Sequence, residues 1–231
     1  MAASTDFLNC YDKEQVRHME ETCILVDEQD NVVGADSKKN CHLITPEHNG
    51  KLHRAFSVFL FDSQNRLLLQ QRAAEKITFP NYFTNTCCSH PLSVPSELEE
   101  ADQIGAKRAA IRKLEHELGI TPEQISVQNL KFLTRILYKA PSDNKWIEHE
   151  LDYIFIVKAD VNLKPNPNEV KSTRYVTPQE LDLLFKTSES ENILLTPWFK
   201  LIYNSFLKDW WNNLENTNSL SKDNKIHNMI N

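Results

Sequence analysis

Residues 55–71 read Ala-Phe-Ser-Val-Phe-Leu-Phe-Asp-Ser-Gln-Asn-Arg-Leu-Leu-Leu-Gln-Gln. The run Ala55 to Phe61 is apolar except for one Ser. That pattern suits a strand buried on both faces better than a strand wetted on one side. Asp62-Ser63-Gln64-Asn65 is turn chemistry, and Arg66 to Gln71 resumes the extended pattern. The stretch therefore predicts a hairpin at the centre of a sheet.

Upstream, Cys23 to Asp27 and Val32 to Val33 flank Glu28-Gln29-Asp30-Asn31 as a second hairpin. A short polar helix over Asp12 to Glu21 precedes it, and Ala35 to Lys51 reads as a polar loop. Downstream, Thr78 to His90 is rich in aromatics and Thr and reads as extended. Ser96-Glu97-Leu98-Glu99 has the form of a capping box. The helix that follows carries Ala109, Ala110, Leu114 and Leu118 and stops at Gly119. Lys131 to Tyr138 and Glu148 to Val157 read as strands. Thr177-Pro178-Gln179-Glu180 and Thr196-Pro197 open two more helices. The order predicts a single α+β domain, a mixed β-sheet flanked by helices, with helical additions at both ends. The expected limits are an extension over 1–22, the domain over 23–214, and a polar tail over 215–231 that frays.

Composition excludes several classes. Lys plus Arg is 26 against 32 Asp plus Glu, a net charge of −6, which disfavours general nucleic-acid binding. Four Gly are too few for a collagen-like chain, and neither a Walker A loop nor a dinucleotide fingerprint is present. The cysteines are Cys10, Cys23, Cys41, Cys87 and Cys88: an odd number, two of them adjacent, and no CxxC. This is not a disulfide framework. Met1 to Asp12 has neither a basic nor an apolar leader segment, and the longest apolar run is far shorter than a membrane span. The expectation is a soluble, reduced, cytoplasmic protein with no membrane or nucleic-acid partner.

His42, His53, His90, Glu148 and Glu150 are candidate ligands. Glu148 and Glu150 are two apart in a predicted strand, so both carboxylates leave one face. Their repulsion would be relieved by a cation or a shared proton, although for the pair alone two solvated acids on an exposed strand are the favoured reading.

The joint pattern says more. Asn85-Thr86-Cys87-Cys88-Ser89-His90-Pro91-Leu92, with Trp146 and Glu148-His149-Glu150 downstream, resembles the type I isopentenyl-diphosphate isomerases. So do Lys38-Lys39-Asn40-Cys41-His42-Leu43, Leu52-His53-Arg54-Ala55-Phe56-Ser57, Gln70-Gln71-Arg72, Lys76-Ile77-Thr78-Phe79-Pro80 and Thr196-Pro197-Trp198-Phe199. The resemblance runs from about Thr22 to Leu214 and implies a Nudix-like fold. It implies interconversion of isopentenyl and dimethylallyl diphosphates, homoallylic and allylic, by protonation and deprotonation through a tertiary cation. Cys88 would be the catalytic thiol and Glu150 the carboxylate on the opposite face. Tyr138 would assist Glu150, and Trp198 would cover the cation. Lys38, Arg72, Lys76 and the Ser89 backbone would contact the diphosphate. His42, His53, His90, Glu148 and Glu150 would hold a divalent ion, Mg2+, Mn2+ or Zn2+. A separate Mg2+ would bridge the diphosphate, Glu117 and the Cys88 carbonyl. The family often has Arg where this chain has Lys113.

Two alternatives stay open at this level. One is a Nudix hydrolase. Of the motif Gly-x5-Glu-x7-Arg-Glu-U-x-Glu-Glu-x-Gly-U (U aliphatic), the chain keeps Arg112, Leu114, Glu117, Gly119 and Ile120. It has Leu98, Ile104, Lys113 and His116 in place of Gly and three acids. The other is a metal-binding module without activity. A monomer is expected, because nothing in the sequence resembles an obligate interface. The ending Asn228-Met229-Ile230-Asn231 is unlike the SKL-type peroxisomal signal that some relatives carry.

Overall fold

Every residue of His53–Phe61 is buried, as a strand packed on both faces requires. The structure, a computed structural model, describes residues 5–216 and 223–230. Its strands are β1 (Thr22–Val26), β2 (Val32–Ser37), β3 (His53–Phe61), β4 (Leu67–Arg72), β5 (Phe83–Thr84), β6 (Cys87–Ser89), β7 (Lys131–Pro141), β8 (Ile147–Lys158), β9 (Val170–Val176) and β10 (Ile226–Asn228). Its α-helices are α1 (Lys13–His18), α2 (Lys38–His42), α3 (Ile104–Leu118), α4 (Pro178–Thr187), α5 (Pro197–Ile202) and α6 (Lys208–Asn212). None of the described helices is long and apolar enough to cross a membrane.

β3 lies parallel to β8 along its whole length, from His53↔Glu150 to Phe61↔Lys158. Its other edge is shared. β1 takes it at His53, β6 takes Phe56 to Val58, and β4 meets it at Phe61. The expected turn forms, with Asp62 Oδ1 accepting from the Gln64 and Arg66 amides at 3.0 and 2.8 Å. The expected hairpin, however, is one residue pair long. β4 turns away to pair antiparallel with β9, because β6 occupies the edge a longer hairpin would need. Thr86 holds the fork open: its hydroxyl accepts from the Leu60 amide at 2.9 Å and donates to the Leu68 carbonyl at 2.6 Å.

Side-chain alternation along β3 feeds two cores. Phe56, Val58 and Leu60 pack with Ala109, Ala110 and Leu114 of α3. Phe59 and Phe61 pack with Trp198, Phe199 and Ile202 of α5. Each such side chain contributes roughly 1.5–3 kcal/mol of burial, and Phe59→Ala would cost about 3–5 kcal/mol.

Three local expectations change. Ser96 does not cap α3. The helix begins at Ile104, after Asp102 and Gln103 take left-handed φ of 50° and 58°. Glu97 is instead buried in a bidentate ion pair with Arg112, at 2.7 and 2.9 Å, and accepts from the Leu92 amide. That tertiary pair outcompetes a local cap. A Cβ on Gly105 would come within 2.2 Å of the Glu97 carbonyl oxygen, so only glycine lets the helix start here. Second, the loop expected over Ala35 to Lys51 contains α2, one turn capped by Ser37, whose hydroxyl accepts from the Asn40 amide. Third, the tail does not fray over 223–230: Ile226–Asn228 adds a parallel strand to β7. The rest of that expectation lies outside the described residues.

Candidate active site

Five buried donors converge between β3, β8, α2 and the end of β6. Ligand atoms of His42, His53, His90, Glu148 and Glu150 lie within 4.8 Å of one another. Strand register puts His53 directly beside Glu150. His42 ends α2, and His90 follows β6. His42 Nδ1 is 2.7 Å from the Lys38 carbonyl and His53 Nδ1 is 2.8 Å from that of Lys51. A carbonyl only accepts, so each Nδ1 carries hydrogen and the Nε2 faces inward. His42 Nε2 is 2.7 Å from Glu148 Oε2, and His90 Nε2 is 2.6 Å from Glu150 Oε1. His42 Nε2, His53 Nε2 and Glu148 Oε2 are nevertheless buried without an aligned hydrogen-bond partner among the described residues.

The electrostatics fit that picture. Burial raises the Glu150 carboxyl, but the hydrogen bond and charge of His53 and the Tyr138 hydroxyl outweigh it and hold it below its usual range. Burial likewise opposes ionisation of Glu148, yet His42 keeps it low. Burial depresses His53, but Glu150 and Cys41 lift it to about 9. Burial and the His53 charge push His90 well down. Two carboxylates and orphaned imidazole nitrogens in a buried pocket are a donor set for a divalent cation, so the residues fit the ion.

Above this cluster the side chains change character. Cys88 Sγ lies 3.0 Å from Asn85 Oδ1 and accepts from Trp198 Nε1–H at 3.1 Å. Burial, then the Asp152 charge, push its thiol up to about 12. The period of two along β6 sends Cys88 toward α5 and Cys87 toward α3, where Cys87 Sγ is 3.6 Å from Glu117 Oε2. Tyr138, the β7 register partner of Glu150, donates its hydroxyl to Glu150 Oε2. Its ring is 6.0 Å from that of Trp198.

Cations line the other side. Arg72 donates to the Thr78 and Phe79 carbonyls, which aim its guanidinium, and it stands 5.8 Å from the Trp198 ring centroid. Lys76 is ion-paired to buried Glu169, which also accepts from Gln15 of α1. Burial lowers Lys76 to about 8 although Glu169 opposes this. One cavity is lined by Lys38, Arg72, Lys76, Cys88, Ser89, His90, Tyr138, Glu148, Glu150 and Trp198, together with Ser57 and Thr78.

The NUDIX domain model matches residues 51–199. Isopentenyl-diphosphate Delta-isomerase 1 of Mesocricetus auratus is 56% identical over 218 residues, covering 94% of this chain and 96% of its own. The Bos taurus protein of the same name is 56% identical over 226 residues, 98% of each chain. The chain belongs to the type I isopentenyl-diphosphate isomerase family. The solved structure of DR0079 from Deinococcus radiodurans has the same fold, with a TM-score of 0.55 at 19% identity, covering 80% of this chain and 99% of that one.

The isomerase-family reading placed thirteen residues, and the structure gathers most of them around one cavity. His42 and His53 sit beneath it. Glu117 lies apart: it faces Cys87 and is held by Gln70 Nε2 at 3.1 Å and Lys113 at 3.3 Å. The sequence reading passed over Asn85, Glu169, Ser57 and Asp152. Asn85 stood inside a quoted motif, and Asp152 continues the two-residue spacing of Glu148 and Glu150. Burial and the Glu150 charge push the Asp152 carboxyl well up. A second grouping, Glu14, His18 and His116, is half-buried, and Lys113 Nζ already sits 3.2 Å from His116 Nδ1.

Proposed function

We propose that the chain interconverts isopentenyl diphosphate and dimethylallyl diphosphate in isoprenoid precursor synthesis, with Cys88 and Glu150 as its proton-transfer groups. The observation that carries this reading is that Cys88 and Glu150, on the strands either side of β3, line one cavity that cations border and Trp198 covers.

A proton added to the terminal alkene carbon leaves a tertiary cation, and loss of a proton from C2 gives the allylic isomer. One group donates and the other accepts, and their roles reverse in the other direction. Glu150 is held by the Tyr138 hydroxyl, which passes a proton to or from it. Cys88 faces the chain from β6. Trp198 lays an indole face against the cation and keeps water out. Arg72, Lys76, Lys38 and the Ser89 amide hold the diphosphate. His42, His53, His90, Glu148 and Glu150 would hold a divalent ion, Mg2+, Mn2+ or Zn2+. Glu150, held beside such an ion, would have its proton affinity set by the ion's charge. The Cys88 carbonyl would face the Mg2+ that accompanies the diphosphate; Glu117, held by Gln70 and Lys113 outside the cavity lining, would have to leave those partners to join it. Residues 23–214 form the working domain, acting as a monomer in the cytosol. Hydrolysis is disfavoured because Lys113 and His116 stand where a Nudix hydrolase needs acids.

Proton NMR of the isopentenyl compound with enzyme and Mg2+ in heavy water tests this. Deuterium entering a methyl group of the dimethylallyl product is expected. Release of phosphate or pyrophosphate without a shifted double bond would overturn it.

A further inference from the structure

Ser57 and Asp152 have no place in the reading so far, yet both are 1% exposed and stand in the wall of the cavity or next to it. Ser57 is the register partner of Cys88 across β3 and β6, and Asp152 is paired with Ala55 across β8 and β3. All three side chains therefore leave one face of the sheet. Ser57 Oγ is 2.8 Å from Asp152 Oδ2 and 3.6 Å from Cys88 Sγ. Asp152 Oδ1 has no hydrogen-bond partner among the described residues.

A carboxyl this deep is costly for folding. Ile154 and Ile156, the next residues of β8 on that face, are apolar, as packing alone would select. The cost makes sense if the carboxyl serves the sulfur. Asn85 and Trp198 reach Cys88 at 3.0 and 3.1 Å, and Ser57 reaches it from the strand floor. A hydroxyl has one hydrogen, and its strongest neighbour decides where that hydrogen points. For Ser57 that neighbour is Asp152, so the hydroxyl turns its lone pairs toward Cys88 and offers the thiol hydrogen a second acceptor beside Asn85 Oδ1.

We propose that Ser57, oriented by the Asp152 carboxyl, is a positioning residue for Cys88, fixing the direction in which the thiol faces the five-carbon chain. The inference rests on the proposed role of Cys88 and extends it by two residues.

The test compares Ser57→Ala, Asp152→Asn, the double variant and Ser57→Thr. Each single variant should lower kcat by about tenfold with KM within about twofold, because the diphosphate contacts lie elsewhere. The double variant should fall no further than either single, since both act through one hydroxyl. Ser57→Thr, which keeps the hydroxyl, should recover most of kcat. In the infrared, the S–H band assigned by difference from Cys88→Ala should shift in Asp152→Asn, although Asp152 does not touch the sulfur. An unmoved band with unchanged kcat in Asp152→Asn overturns the inference, and so do losses that multiply in the double variant. If Asp152→Asn does not fold, Ser57→Ala decides alone: unchanged kcat and an unmoved band overturn the inference. The two readings fail separately. Full activity in Cys88→Ala removes the role of Cys88 itself. A dead Cys88→Ala with an indifferent Asp152→Asn removes only this extension.

Discussion

Tyr138 and Glu150 are direct register partners across the β7–β8 ladder, and the phenol donates to Glu150 Oε2 while Oε1 lies 2.6 Å from His90 Nε2. The carboxylate is thus gripped at both oxygens. Tyr138→Phe removes one grip and leaves the other. Isomerisation should fall by about 10- to 100-fold, the usual penalty for losing a supporting hydrogen bond at a ligating group. Metal content by elemental analysis should hardly change, because the phenol is not among the donor atoms.

Cys88→Ala and Glu150→Gln should each lower kcat by about a thousandfold or more, at the upper end for a proton-transfer group. Far-UV circular dichroism should match the parent in both. Near-full activity in either variant would refute the assignment of that residue.

Chelation should abolish activity and lower Tm by roughly 5 °C or more, as loss of a ligand bound only by the native state requires. His42→Asn should weaken metal binding and remove the imidazole that lies against Glu148. Calorimetry with and without added Mg2+, Mn2+ and Zn2+ would rank the ions.

Lys76 predicts an alkaline limb. Burial places its pKa at about 8 in the free protein. Below that pH the ammonium is charged and attracts diphosphate; as pH rises through 8 the charge goes, so kcat/KM should fall. The profile of kcat should stay flatter, because bound diphosphate favours the charged form. Lys76→Arg should move the limb to higher pH, since guanidinium keeps its proton.

Trp198→Phe should reduce kcat by about 10- to 30-fold. The smaller ring gives a weaker contact with a desolvated cation and loses the indole N–H that reaches Cys88. Trp198→Leu should fall further, with KM little changed in both.

Much of the fold could be read from local chemistry. The apolar run at Ala55–Phe61, the capping box at Thr177 with its Glu180, and the glycine stop at Gly119 all do what their residue types require. What escaped was decided by distant partners. Glu97 left its cap position for Arg112, and β4 left its hairpin for β9. One-turn α2 has too few residues for a period, yet it sets Lys38 and His42 four apart and so on one side. The site was visible as motifs; the contact between Ser57 and Asp152 was not, because a Ser in an apolar strand and a third acid on β8 gain meaning only when the strands are laid side by side.

The three residues of β6 are a very short ruler for so consequential a measurement. Sliding it by one position would exchange the neighbouring sulfurs, turning Cys87 toward the cavity and hiding Cys88 under α3. Three bonds pin the ruler: Thr86 to Leu60 and Leu68, and Asn85 Nδ2 to the Val58 carbonyl at 3.0 Å. Which of two neighbouring thiols faces the cavity is therefore settled by an amide and a hydroxyl on the residues just before them.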